Sequence, residues 1–69
     1  MGKKVKKATR SPQAVFEELV GVIGSTSEEV SKFMDGNNSA GTRVRKAMMQ
    51  VKALAQEVRV KVQEVKNDR

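Results

Sequence analysis

The side chains able to do chemistry in this sequence are nearly all cations. Fourteen Lys and Arg stand against eight Asp and Glu, a net charge of +6, and there is no Cys and no His. That excludes disulfides and leaves no credible zinc or haem ligands, so no metal or other cofactor is expected. Catalysis at neutral pH usually recruits His, Cys or carboxylates converging in a cleft. The acid pairs Glu17-Glu18 and Glu28-Glu29 suit helix starts and solvated faces better than such a site. The stretch from Gly36 to Gly41 lacks the Gly-Lys-Ser/Thr ending of a phosphate-cradling P-loop. An enzyme acting on a small-molecule substrate is therefore not expected. A cation excess of this kind is the footprint of a polyanion partner, nucleic acid foremost.

The cations fall into three groups. Lys3, Lys4, Lys6, Lys7 and Arg10 form a block with no acid among them. Arg43, Arg45 and Lys46 follow the turn signal Gly36-Asn37-Asn38-Ser39-Ala40-Gly41 and are expected at the opening of a long helix. The macrodipole is already positive there, so each cation costs a few tenths to about 1 kcal/mol unless an external anion binds. Together with exposed helix N–H groups they would make a phosphate-binding corner. Arg45, Lys52, Arg59 and Lys66 recur every seven residues, which stacks them about 10.5 Å apart along one flank of a helix. Such a stripe can track a phosphate backbone without reading base edges. Arg43 and Lys61 are expected on the opposite flank, and Glu57 and Glu64 on the back. For Lys52, Arg59 and Lys66 an alternative stays open: coiled-coil flanking charges paired with glutamates of the first helix. The two aromatics, Phe16 and Phe33, fall on an apolar seam, so stacking on single-stranded bases is not expected.

The elements that position these groups can be placed in turn. Residues 1–11 lack the apolar surface needed to fold and repel themselves, which predicts a disordered basic arm. A mitochondrial presequence would favour Arg and amphipathicity over this lysine block. Ser11 as N-cap and Pro12 at the first helical position predict a helix start. Phe16, Leu19, Ile23, Thr26, Val30 and Phe33 step by threes and fours along one seam. Gly21, Gly24 and Ser25-Thr26-Ser27 weaken the middle, but the seam continues through them and predicts one helix. Asp35-Gly36 ends it, Gly36 taking the left-handed conformation.

With Asn38 or Ser39 as N-cap, a second helix follows, its seam expected along Val44, Met48, Val51, Ala55, Val58, Val62 and Val65. Ala47 and Leu54 widen that stripe. The short connection makes the helices antiparallel neighbours, an all-α two-helix hairpin over residues 12–66 with a flexible end at 67–69. A basic second helix against an acidic first one agrees with that pairing. A single hairpin leaves much of each stripe bare, which predicts a homodimer in a coiled-coil or four-helix arrangement; a monomeric hairpin is the alternative. The longest nearly apolar run, Leu19 to Gly24, is far shorter than a bilayer span. A cytoplasmic location is expected, and a membrane partner is not.

Gly36-Asn37, Ala40, Arg43-Val44-Arg45, Ala55 and Arg59, in this order, resemble the small bacterial histone-like proteins of the chlamydial linker-histone type. The likeness runs over roughly residues 14–66, the Gly-Asn turn followed by Arg-Val-Arg being its most specific part. It implies a helical, self-associating domain in a nucleoid protein that compacts DNA. Those proteins carry a long Lys/Ala-rich C-terminal tail; here the tail-like composition lies in the N-terminal lysine block. The expectation from residues and resemblance together is a histone-like architectural protein of the nucleoid. It would hold the phosphates of double-stranded DNA non-specifically through Lys3, Lys4, Lys6, Lys7, Arg10, Arg43, Arg45, Lys46, Lys52 and Arg59. The alternatives are a coiled-coil assembly protein without nucleic-acid binding, and an RNA-binding factor.

Overall fold

The computed structural model describes residues 10–69, and the lysine block with Lys3, Lys4, Lys6 and Lys7 lies outside them. Among the described residues the chain is all helical: α1 spans Pro12–Met34 and α2 spans Asn38–Asn67, packed against each other with no strand. The start of α1 follows the sequence closely. Ser11 is extended, its hydroxyl accepts the Ala14 N–H at 3.1 Å, and Pro12 takes the first helical position, where no N–H is needed.

The connection is as short as two caps allow. Gly36 has φ +109° and donates its N–H to the Phe33 carbonyl at 2.9 Å, while Asn37 N–H reaches back to the Lys32 carbonyl at 3.0 Å. This pair of bonds is a Schellman closure, which needs a residue free to take positive φ. Asn37 then acts a second time: its side-chain oxygen accepts the Ala40 N–H at 3.1 Å and caps α2. The expected caps were Asn38 and Ser39, and both lie inside the helix instead. Because Asn37 both closes one helix and opens the next, α2 begins earlier than capping by Asn38 or Ser39 would place it.

Helix α1 runs without a break through Gly24 and Ser27. Thr26 is buried, and its hydroxyl donates to the Val22 carbonyl at 2.6 Å, so it enters the core without an unmet polar group. Gly21 and Gly24 have no atom near the space a Cβ would take. The double variant Gly21→Ala/Gly24→Ala should therefore be more stable, by about 0.5–1 kcal/mol per site, read as a raised thermal midpoint. Gly41 differs. A Cβ there would lie 2.7 Å from the Phe33 ring, which rests on the first turns of α2 and closes the turn end of the hairpin.

The packed seam is turned from the expected one. Val15, Ala40 and Leu54 are the buried apolar side chains, flanked by half-buried Leu19, Val22, Val44, Ala47, Val51 and Val58. Leu19, Thr26, Val44, Val51 and Val58 agree with the expected seam, and Ala47 and Leu54 with the stripe that widens it. Phe16, Ile23, Val30, Phe33, Met48, Val62 and Val65 were also placed on the seam, yet all of these are exposed. Ala55 is exposed as well. The reason is steric: each apolar stripe is wider than one helix–helix contact. The contact takes small or β-branched residues such as Val15, Val22, Ala40 and Ala47, over which two helices can approach closely. Leu19 and Leu54 pack with them, while the rest of each stripe, β-branched Ile23, Val30, Val62 and Val65 included, stays outside the contact.

Candidate nucleic-acid interface

Three ion pairs establish the two sides of the hairpin. Arg10 donates to Glu18 of α1 and, at 3.0 Å, to Glu57 of α2, so Glu18 and Glu57 share one broad side. Arg43 Nε donates to Glu29 at 2.8 Å and links the helices nearer the turn. Glu18, Arg43 and Glu57 each precede a packed residue: Leu19, Val44 and Val58. With about 100° of rotation per residue, positions that follow a packed residue emerge on the other broad side. On α2 those positions include Arg45, Met48, Lys52, Ala55, Arg59, Val62 and Lys66.

The expected corner at the start of α2 does not assemble. Since α2 begins at Asn38, its unbonded N–H groups belong to residues 38–41, and Arg43, Arg45 and Lys46 stand in later turns. Their argued conflict with the helix dipole is correspondingly weak, because that effect fades within the first turn. Nor do the three converge. Arg43 turns to the polar side and Glu29, Arg45 to the opposite side, and Lys46 to an outer edge. Arg10 is also committed, and its guanidinium is held more firmly protonated by Glu18 first and then Glu57. Glu57 is half-buried under that contact and not on the back of the helix. Nothing local in the sequence signals the Arg10–Glu57 pairing, which joins residues far apart in the chain.

The seven-residue stripe is what the structure keeps together. Arg45, Lys52, Arg59 and Lys66 are all exposed on one edge of α2 and extend over about 31 Å. Among the described residues, none of the four forms an ion pair with a carboxylate; Arg59 donates only to Gln56, at 3.2 Å. Lys61 is excluded from this rail. Its stem continues the packed line through Leu54, and its amine lies 3.9 Å from Glu64.

No group of His, Cys, Asp and Glu among the described residues is arranged to hold a metal ion. No described helix is long and apolar enough to cross a membrane. No curated protein matches the chain, and no solved structure does. The family model for histone H1-like protein Hc1 matches residues 13–68, a span that takes in the turn, the inter-helix seam and the whole cation rail. By that match, covering most of its length, the chain belongs to the histone H1-like protein Hc1 family.

Proposed function

We propose that this protein is a DNA-binding architectural component of the bacterial nucleoid that holds duplex DNA by its phosphates, without sequence preference. The observation that carries this reading is the rail: four exposed cations in line along α2, with no carboxylate neutralising them among the described residues. Duplex DNA carries one charge per about 1.7 Å of axis, so a rail of this length spans many phosphates. Point charges on flexible stems contact phosphate oxygens and carry no base information. Membership of a histone-like family supports the same reading.

The coiled-coil alternative requires Lys52, Arg59 and Lys66 to pair with glutamates of α1, and in this hairpin Glu18 and Glu29 pair with Arg10 and Arg43 instead. The lysine block, with Lys3, Lys4, Lys6 and Lys7, adds a second set of phosphate contacts, and the protein acts as a homodimer. Electrophoretic shifts with unrelated duplexes and with RNA, at low and moderate salt, test the reading. Equal affinity for the duplexes, falling steeply with salt, is the expected result. Strong preference for RNA, or no shift, would overturn it. Removing residues 1–9 takes away four cations while keeping the Arg10 contacts. That truncation should retain the helical spectrum and flatten the salt dependence by a log–log slope of about 3 to 4.

A further inference from the structure

One broad side of the hairpin is apolar over most of its length. Phe16, Val20, Ile23 and Val30 of α1 and Met48 and Val62 of α2 are all exposed, with Phe16 at 53 %, Ile23 at 48 % and Met48 at 43 %. Each follows a packed position or its helical equivalent, opposite the side that carries Glu18, Glu57 and Arg10. The two edges of this face differ. The α2 edge is the cation rail, whereas the α1 edge continues through Val20, Ser27 and Met34, with Glu17 the nearest charge beyond.

We infer that this face is covered by a second copy of the chain, α2 of each copy lying across α1 of the other with both turns at the same end. The size of the face agrees. A 23-residue α1 is about 34 Å long and the hairpin is 19 Å across, giving roughly 650 Å² per copy and about 1,300 Å² in total. That lies within the range of stable, specific interfaces, and the hairpin alone buries only Val15, Ala40 and Leu54 as apolar core.

Charge selects the arrangement. Two faces with aligned helices can meet about a two-fold axis across the helices or along them. The first lays α2 on α2 and brings the two rails together within a Debye length, where like charges are poorly screened. The second sets each rail against the α1 edge of the other copy, where Val20, Ser27 and Met34 carry no charge. It also leaves the rails on opposite edges of a four-helix bundle. This deepens the homodimer stated above but requires no DNA.

The chain has no Cys, so introduced cysteines report contacts cleanly. Full-length Ile23→Cys and Met48→Cys chains, one of them tagged, are mixed and oxidised mildly; Phe16→Cys with Ala55→Cys repeats the test two turns along. A disulfide between unlike variants, far in excess of that formed by either variant alone, is the expected result, with the helical spectrum retained. Dominant disulfides between like variants would show α2 lying on α2 and overturn the arrangement. A sedimentation profile of folded monomers at micromolar concentration would overturn the second copy altogether. So would a monomer that binds phosphatidylglycerol vesicles through this face. A cross-linked dimer that fails to shift DNA would leave this interface standing and remove the rail as a phosphate site.

Discussion

Leu54→Asp is expected to abolish the cooperative thermal transition and most of the helical signal at 25 °C. Leu54 is the largest side chain in the short roll of buried apolar residues, only 6 % exposed, at the middle of α2. Truncating a buried leucine to alanine already costs about 2–5 kcal/mol. A scaffold of this size seldom has more than about 3–5 kcal/mol of stability from its core. A carboxylate placed there adds a desolvation penalty of several kcal/mol. The seam, and not helix propensity, is what holds α2 in place. Met49→Asp is the control: Met49 is 72 % exposed on the same helix, so its replacement should change stability by less than about 0.5 kcal/mol. Circular dichroism melts of the two variants test the claim. A Leu54→Asp chain melting like the parent would mean that the seam described here does not hold the fold.

The parts of this fold governed by short-range stereochemistry were legible in the sequence. Ser11-Pro12 and Gly36 are local devices whose backbone consequences do not depend on the rest of the chain. The type and number of elements followed from them and from the three-four spacing. Seam orientation was not legible, because Val15 and Phe16, or Ala47 and Met48, offer equivalent periodicity one residue apart. Only the closeness of approach between the helices decides which member of each pair turns inward. Start positions near Asn37-Asn38-Ser39 were ambiguous for a similar reason: three adjacent residues can all cap a helix, and the Schellman turn fixes which one does.

The candidate site divides along the same line. The rail depends only on helical repeat, so Arg45, Lys52, Arg59 and Lys66 survive any rotation of the seam as a set. The proposed corner of Arg43, Arg45 and Lys46 depended on where α2 starts and dispersed when that moved. Arg10 looked like one more cation of the arm. Its role as a clasp rests on Glu18 and Glu57 arriving on one side, which is a property of the packed hairpin alone. The remaining apolar side follows from the same rotation: of the residues displaced from the seam, Phe16, Ile23, Val30, Met48 and Val62 gathered into the face assigned to the second copy, while Phe33 lies against Gly41.

Replacing Arg45, Lys52, Arg59 and Lys66 together by Gln should remove most duplex binding while leaving the fold intact. Gln is a good helix former, and among the described residues no carboxylate pair is lost with these four. Each phosphate contact contributes about 0.9 to the salt slope, so four should lower it by about 3.6. Between 50 and 200 mM salt, the affinity of the variant should then change roughly a hundredfold less than that of the parent. The loss should be similar for unrelated duplexes, because no base edge is read. Arg43→Gln supplies the contrast from the polar side. It breaks the pair with Glu29, a partly exposed contact worth about 0–1 kcal/mol, so it should shift the melting temperature slightly and leave duplex affinity near the parent's. A protein using these charges to set coiled-coil partners would behave in the opposite way: the rail variant would lose assembly and stability while DNA binding stayed as it was. Titration and melting of these two variants separate the classes because the rail and the Arg43–Glu29 pair lie on opposite sides of the hairpin. A rail variant that binds duplex DNA with the parent's affinity and salt slope would show that the phosphates are held elsewhere in the chain.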